Sequence, residues 1–248
     1  MIASLPMYAR PEVNDVLFHF WDLIQKNLAN YGVAAPVSLT QDRDVFDVWT
    51  DPTLVLSQTC GMPFRKFLHN KVKLVGTPIY DLEDCPPGHY YSVIVTRKDD
   101  LRTTLKEFEN ARFGYNEENS QSGFAAPLNY ASKLGIKFSN RVPSGGHVES
   151  AEMVANGLAD IAALDAVTWK LIERHDAFAS ALRIVECTKP TTPVLPFITS
   201  MSGDANALFT AIEAAIEGLT SEEKDCLCLK GIMKIPPEEY LSVPNPIL

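Results

Sequence analysis

The stretch Asn119-Ser-Gln-Ser-Gly-Phe-Ala-Ala-Pro-Leu-Asn-Tyr-Ala-Ser-Lys-Leu134 follows a short strand-like run, Arg112–Tyr115, and has helix-compatible composition. A proline is tolerated only in the first turn of a helix, so Pro127 predicts a helix start near residues 122–124. The first N–H groups of a helix have no partner inside it, and the helix dipole is positive at that end. This junction therefore predicts a site that attracts anions.

Four residues of the junction are candidates for contact with a ligand. Ser120 and Ser122 bring hydroxyl donors, and Gln121 stands between them with an amide. Gly123, without a side chain, would allow a ligand to approach the backbone closely. The alternative is that Ser122 only caps the helix, which is the commonest use of a serine at such a position.

Length and charge limit the function. A chain of 248 residues suffices for one large α/β domain or for two lobes with separate cores. The net charge of −9 argues against nucleic acid as a partner, because such surfaces need a basic face. A small anionic ligand remains compatible, since neutral donors and helix starts can hold an oxyanion.

The cysteines and the first residues bear on the cell compartment. The chain has five irregularly spaced cysteines, which suit reduced thiols, and Cys226 and Cys228 lack a second pair at zinc spacing. No metal and no cofactor are predicted. No apolar run is long enough to insert in a membrane, and Met1–Pro6 has no signal-peptide pattern. As written, the chain is expected in the cytoplasm.

Strand-like and helical segments alternate along the chain, which predicts an α/β fold with parallel or mixed sheets. Within this pattern Pro36–Leu39 is expected to form a short strand, and Gly76-Thr-Pro a turn after a strand at Val72–Val75. Two strand signals, beginning at Tyr90 and Leu182, are interpreted as crossings between two lobes. The proline-rich tail is expected to be irregular.

A second junction rich in donors, Ser57-Gln58-Thr59-Cys60-Gly61, lies in the first half of the chain. Ligands of open α/β sheets bind beyond the carboxyl ends of the strands, where such junctions stand. Two β-α-β units joined by two crossings would bring both junctions to one cleft. Their coincidence favours an anion site over two unrelated helix caps.

Three further residues are candidates for the same cleft. Tyr8 would close it with its ring and hydroxyl, and the alternative is a surface tyrosine. His147 begins a helix and would act as a neutral donor to an oxyanion, and the alternative is an exposed loop histidine. Asp165 ends a strand and would receive an amine or hydroxyl of the ligand, and the alternative is a helix N-cap.

Other patterns indicate no catalysis. The basic cluster Arg65, Lys66, His69, Lys71 and Lys73 is best explained as a solvated helix face in so acidic a chain. The sequence contains no P-loop, no nucleophile elbow, no dinucleotide-binding turn and no zinc-protease motif. We therefore predict no catalytic residue and a binding protein rather than an enzyme.

Taken in order, several motifs resemble the phosphate/phosphonate substrate-binding proteins of ABC transporters, within the type 2 periplasmic binding protein superfamily. The matching pieces cover roughly residues 2–200 and are Ser4–Tyr8, Leu56–Gly61, Tyr91–Val95, Ser120–Gly123, Gly146–His147 and Gly157–Asp165.

The resemblance implies two lobes, two hinge strands and a ligand cleft that closes on binding. Lobe 1 would comprise residues 1–93 plus 187–248, and lobe 2 residues 94–186. Ser120, Ser122 and Gly123 would hold the oxyanion from lobe 2, with His147 and Asp165 beside them. Tyr8 and Thr59, with Ser57 and Gln58 at the same junction, would approach from lobe 1.

The resemblance further implies a periplasmic protein that serves an ABC-transporter permease if the chain is exported. The expected function is binding of a small oxyanion-bearing ligand such as a phosphonate or a phosphate ester. Two alternatives are a cytoplasmic sensor or regulatory module of the same fold, and an enzyme related to pyrimidine or thiamine-precursor metabolism, with Asp165 or His147 as its acid or base.

Overall fold

The structure, a computed structural model, describes residues 1–246. By its internal contacts the chain divides into two units, and each unit contains its own main sheet. Unit 1 comprises Met1–Glu83, Pro87–His89 and Pro193–Leu241, and unit 2 comprises Asp84–Pro86, Tyr90–Thr192 and the residues from Ser242 onward.

In chain order the strands are β1 (Ile2–Ser4), β2 (Leu54–Gln58), β3 (Val72–Tyr80), β4 (His89–Tyr90), β5 (Ser92–Arg97), β6 (Arg112–Tyr115), β7 (Asn140–Pro143), β8 (Ile161–Asp165), β9 (Leu182–Cys187), β10 (Thr192–Pro193), β11 (Phe197–Ser200) and β12 (Leu229–Met233). The α-helices are α1 (Asn14–Ala29), α2 (Val45–Trp49), α3 (Gly61–Pro63), α4 (Ala126–Lys133), α5 (His147–Ala155), α6 (Ala166–His175), α7 (Ala205–Gly218), α8 (Ser221–Cys226) and α9 (Pro237–Ser242). Turns of π-helix cover Phe64–Leu68 and Gln121–Ala125, and 3₁₀ turns cover Leu105–Phe108 and Ala177–Ala181.

The sheet of unit 1 has the strand order β1-β2-β11-β3-β12. Strand β1 is parallel to β2, whereas β11 is antiparallel to both β2 and β3. Strands β1, β2 and β3 therefore run in one direction, and their carboxyl ends lie at the same edge of the sheet. That edge carries Ser4, Gln58 and Tyr80, so the junction after β2 stands where open α/β sheets bind ligands.

Two apolar clusters form the core of unit 1. Residues of α1 and α7 at helical spacing make up half of the buried residues of one cluster, which contains Trp21, Ile24, Leu208 and Ile212. The second cluster brings Trp49 together with Phe64, Leu68 and Tyr240. Burial of these side chains fixes the strands of unit 1, and with them the junction at Gln58.

The sheet of unit 2 has the strand order β7-β6-β8-β5-β9. Strand β6 is parallel to β7 and β8, and β5 is antiparallel to β8 and β9. Its core contains the stacked rings of Phe113 and Phe138, with centroids 4.6 Å apart. The parallel strands β6 and β8 end at Tyr115 and Asp165, so the segments that follow them leave the sheet at a common edge.

The predicted mixed α/β class is confirmed, but several predicted elements are wrong. Residues 36–39 form no strand. Gly76-Thr-Pro is not a turn, because these residues continue β3 and pair with β11 and β12. A Cβ at Gly76 would lie 2.7 Å from Ile232 Cδ1, so close packing explains this glycine. The tail is regular in part, since it contains β12 and α9.

Candidate functional site

The helix at the junction of unit 2 begins one residue before the predicted start. Ser120 is the N-cap, and its Oγ accepts a hydrogen bond from the Gly123 N–H at 3.0 Å. A π-helical turn, Gln121–Ala125, then leads into α4. The start therefore differs by one residue from the prediction of a start near residues 122–124, because this wider turn places an additional residue ahead of Pro127. Ser122 is consequently inside the first turn, and capping does not occupy its hydroxyl.

Pro127 has a further consequence for the backbone of this turn. The N–H of Ala125 donates to the Ser120 carbonyl and that of Ala126 to the Gln121 carbonyl, five residues back. The next donor in this series would be residue 127, which as a proline has no N–H. The Ser122 carbonyl instead accepts a hydrogen bond from Ser92 Oγ at 2.7 Å. Ser92, on β5, thereby fixes the turn to the sheet.

The hydroxyl of Ser122 meets the start of a second helix. Ser122 Oγ lies 3.0 Å from Nε2 of His147, the first residue of α5. Asn116, which directly follows β6, places its Nδ2 3.5 Å from the same nitrogen. Two helix starts and a strand end therefore converge on one neutral hydrogen-bonding cluster, which we call the Ser122–His147 cluster and which consists of Asn116, Ser122 and His147.

The imidazole of His147 is neutral at pH 7. Desolvation lowers its pKa to about 4, and the backbone carbonyl of Ala163 opposes this effect only in part. A neutral ring offers Nε2 either as donor or as acceptor, depending on the tautomer. The cluster can therefore bind through hydrogen bonds, without a charged histidine.

The surroundings of Gly123 are more crowded than the sequence suggested. A Cβ built at Gly123 would lie 1.9 Å from Asn116 Oδ1 and 3.0 Å from His147 Cε1. Ser120, Gln121 and Ser122 are buried, with exposed fractions of 6%, 2% and 2%. The Asn116 side chain therefore occupies the side of Gly123 from which a ligand was expected to approach.

Asp165 is the N-cap of α6. Its Oδ1 accepts hydrogen bonds from the backbone N–H groups of Val167 at 2.8 Å and Thr168 at 3.1 Å, as the capping alternative predicted. Asp165 is also the cross-strand partner of Ser92, whose hydroxyl holds the Ser122 carbonyl. Asp165 therefore lies on the strand beside Ser92, and Ser92 contacts the Ser122 carbonyl.

The junction of unit 1 is organised by internal contacts. Gln58 Nε2 donates to Tyr80 Oη and to the Leu195 carbonyl, both at 3.0 Å. The rings of Tyr8 and Tyr80 meet edge to face, with centroids 5.2 Å apart. The Thr59 N–H donates to the Pro196 carbonyl at 3.1 Å. Ser57 is fully buried, and its Oγ has no hydrogen-bond partner among residues 1–246.

The ten predicted site residues thus fall into two groups. Unit 2 contains Ser120, Gln121, Ser122, Gly123, His147 and Asp165, and unit 1 contains Tyr8, Ser57, Gln58 and Thr59. The sequence analysis missed Asn116, Ser92 and Tyr80. Asn116 follows a parallel strand directly, and that position was the signal that could have identified it.

The placement of metal-ligating side chains and the composition of the helices bear on other functions. Among residues 1–246 no group of three or more His, Cys, Asp or Glu side chains is placed to hold a metal ion. Over the same range no helix has both the length and the apolar composition needed to cross a membrane.

Solved structures identify the fold. PhnD1 of Prochlorococcus marinus, solved with methylphosphonate, has a TM-score of 0.73 and 18% identity, with 96% of this chain and 94% of that chain covered. A binding component of an ABC phosphonate transporter from Pseudomonas aeruginosa has a TM-score of 0.69 and 15% identity, with 94% and 80% covered. At these identities the likeness shows the fold alone, which is the type 2 periplasmic binding protein fold, as predicted.

The family follows from the sequence. The model of the family described as ABC-transporter, phosphonate, periplasmic substrate-binding protein matches residues 59–235, which is most of the chain. The chain belongs to this family of solute-binding proteins, in agreement with the prediction that it is not an enzyme. No curated protein matches the sequence.

Proposed function

We propose that the chain is the solute-binding component of an ABC-type uptake system for a small oxyanion-bearing ligand, either a phosphonate or a phosphate ester. One observation supports this assignment above all others. Ser122 Oγ and His147 Nε2 are in hydrogen-bond contact at the point where two helix starts meet. Helix starts with neutral donors are suited to a negatively charged group.

In this proposal the oxyanion is held by hydrogen bonds from unit 2. Ser120, Gln121, Ser122 and Gly123 contribute hydroxyl, amide and backbone donors, and neutral His147 contributes one ring nitrogen. The Oδ2 atom of Asp165 accepts a hydrogen bond from an amine or hydroxyl of the ligand, while its Oδ1 continues to cap α6. Hydrogen bonds to an ionised acceptor are the stronger kind, which compensates for the missing cation.

The remaining ligand contacts are assigned to unit 1. Tyr8 and Thr59 approach the ligand, and Ser57 and Gln58 complete the same junction. The lobes of this proposal are the predicted ones, residues 1–93 plus 187–248 and residues 94–186.

Ligand entry requires a change at Asn116. Its side chain stands over Gly123, and its Oδ1 has no hydrogen-bond partner among the described residues. We propose that the ligand's oxyanion displaces this side chain and that the freed Asn116 Nδ2 then donates to the anion. An amide oxygen that forms no hydrogen bond in its present position loses little when it moves.

We propose a periplasmic location, with a permease as the partner that receives the ligand, and the description of the family supports both. Nucleic acid is no partner in this proposal, because the chain carries a net charge of −9. The family favours solute binding over the sensor and enzyme alternatives.

A thermal-shift screen tests the proposal. Phosphonates, phosphate esters, sulfonates and carboxylates are added at millimolar concentration, and a ligand at a hundred times its dissociation constant raises the free energy of unfolding by about 2.7 kcal/mol. We expect a shift with at least one phosphonate or phosphate ester, its loss in Ser122→Ala, and its retention in Ser132→Ala on the exposed side of α4. If no oxyanion in the panel shifts the wild type, the proposed function is wrong.

A further inference from the structure

A second cavity, distinct from the candidate functional site, lies entirely within unit 1. It has a volume of about 580 Å³, and its apolar wall includes Phe64, Val72, Leu74, Met201, Ile235 and Pro236. Cavities of this size hold small molecules in other proteins. We call it the β3 pocket, after the strand that supplies more of its lining residues than any other element.

The β3 pocket extends from the amino end of β3 to the middle of that strand, from Val72 to Gly76. It contacts the amino end of β3 at Val72, and Val72 pairs with Ser200 at the end of β11. Gln58 and Tyr80 are at the carboxyl edge of the same sheet. Gly76, at the other end of the pocket wall, shares the cross-strand partner Phe197 with Gln58, so these two residues are roughly 10 Å apart across the sheet. None of the ten predicted site residues lines the β3 pocket.

Two ammonium groups line the mouth of the pocket. Lys73 Nζ donates to the Gly203 carbonyl, and Lys234 Nζ donates to Asn206 Oδ1, both at 3.0 Å. These acceptors lie on either side of the start of α7, so both ammonium groups are held near one helix start. Neither forms an ion pair with a carboxylate within the described residues. Each uses one N–H for its contact and retains others for a ligand.

The charges around the mouth favour an anion. The lining residues include Lys73, Lys234 and His69 but no Asp or Glu, although the whole chain has 31 acidic and 22 basic residues. The nearest carboxylate on α7 is Asp204, whose Oδ1 accepts from the N–H groups of Asn206 and Ala207. The Asp204 carboxylate therefore serves as the cap of α7.

We propose that the β3 pocket binds an amphipathic carboxylate, with its apolar chain against Phe64, Val72 and Ile235 and its carboxylate between Lys73 and Lys234. The apolar wall favours a ligand with a hydrocarbon chain, and the two ammonium groups at the mouth favour an anionic head group on that ligand. The cavity is enclosed by one unit and is sized for a single small molecule.

Isothermal titration with decanoate, below its micelle concentration, tests this site. We expect saturable one-to-one binding that is at least tenfold weaker in K73E/K234E. The matched control K133E/K137E makes the same change of net charge on exposed lysines of unit 2, and we expect less than a twofold effect. Met201→Glu, at a residue that is 53% exposed, places a carboxylate at the mouth without disturbing the core and should weaken decanoate binding similarly.

Two comparison ligands and a vesicle assay test which chemical features of a ligand the β3 pocket recognises. 1-Decanol should bind at least tenfold more weakly than decanoate, and butyrate should give no detectable binding. Absence of decanoate binding, or equal binding by K73E/K234E, overturns the proposal. Flotation with phosphatidylglycerol vesicles that depends on Lys73 and Lys234 also overturns it, in favour of a membrane surface. Methylphosphonate binding should be the same in K73E/K234E, so the two sites are tested separately.

Discussion

The junctions that follow β2 in unit 1 and β6 in unit 2 have similar sequences but different surroundings. Both contain hydroxyl side chains and an amide side chain, and a π-helical turn lies close to each in the chain, Phe64–Leu68 in unit 1 and Gln121–Ala125 in unit 2. In unit 1 the amide of Gln58 is engaged by Tyr80 and Leu195. In unit 2 the hydroxyl of Ser122 instead meets the first residue of another helix.

This difference shows that the number of donors in a junction does not define a binding site. Donors that bond to a strand or a loop of their own unit stabilise the fold, as Gln58 does. Donors at which two helix starts converge keep a local field that favours an anion. We therefore expect substitutions in the Ser122–His147 cluster to change ligand affinity. Substitutions in the junction of unit 1 are expected to change the free energy of unfolding instead.

Gly123→Ala should have the largest effect. Its Cβ would lie 1.9 Å from Asn116 Oδ1 and 3.0 Å from His147 Cε1, so a methyl group there blocks the approach to the cluster. We expect the affinity for the phosphonate or phosphate ester identified by the screen to fall at least a hundredfold, or about 3 kcal/mol, in a calorimetric titration.

Gly218→Ala is the matched control, since its Cβ would meet only ordinary contacts with Leu23 at 3.6 Å and beyond. We expect it to retain wild-type affinity. Full affinity in Gly123→Ala would show that the ligand does not use this side of the junction.

The cluster should also make stability depend on pH. His147 has a pKa of about 4 in the folded protein and an ordinary pKa near 6.5 when unfolded, so the unfolded state binds more protons between these values. The contribution of neutral His147 to the free energy of unfolding is then fully present above pH 6.5, and it is lost as the pH falls towards 4. Because the residue is only partly buried, we expect a loss on the order of 2 kcal/mol.

Urea unfolding at pH 7 and pH 4.5 measures this loss, and His147→Gln is the variant to compare. The glutamine does not titrate, so the pH dependence of its unfolding free energy should be smaller by most of that amount. An unchanged dependence in His147→Gln would assign the acid sensitivity to other groups.

Gln58→Ala should lower the free energy of unfolding through its contacts in unit 1. It removes two buried hydrogen bonds, to Tyr80 Oη and to the Leu195 carbonyl, which predicts a loss of about 1.5 kcal/mol in the free energy of unfolding. We expect ligand affinity to change less than in Gly123→Ala. A loss of affinity as large as that of Gly123→Ala, without a loss of stability, would reverse the comparison between the two junctions.

Ser120→Ala should have the smallest effect on unit 2. It removes the side-chain cap on the Gly123 N–H and predicts a loss of about 1 kcal/mol in urea unfolding. Ser132→Ala, on an exposed residue of α4, controls for the loss of a serine and should be neutral. Equal stability of the two variants would mean that the cap contributes nothing to the turn.

Much of the fold could be predicted from residue periodicity. The spacing of Phe20, Trp21, Ile24 and Leu28 indicates α1, and these residues are buried. The errors have physical reasons. Gly76 resembled a turn residue, but it is required by the close approach of Ile232 to β3. The tail appeared irregular because local composition does not show that β12 pairs with β3 or that Tyr240 packs into the core.

The candidate site was predicted in part for a similar reason. The helix start near Ser122 and the role of Asp165 at a strand end follow from local patterns. The place of Asn116 over Gly123 and the bond from Ser92 to the Ser122 carbonyl depend on residues distant in sequence. Tertiary contacts of this kind leave no periodic signal in one sequence.

The most direct test of the account is a titration of isotopically labelled protein with methylphosphonate, followed by NMR of the backbone amides and histidine side chains. The account predicts that the amides of Ser122 and Gly123 and the Nε2 resonance of His147 shift together and saturate at one ligand per chain. Saturable binding that leaves all three signals unchanged would contradict it.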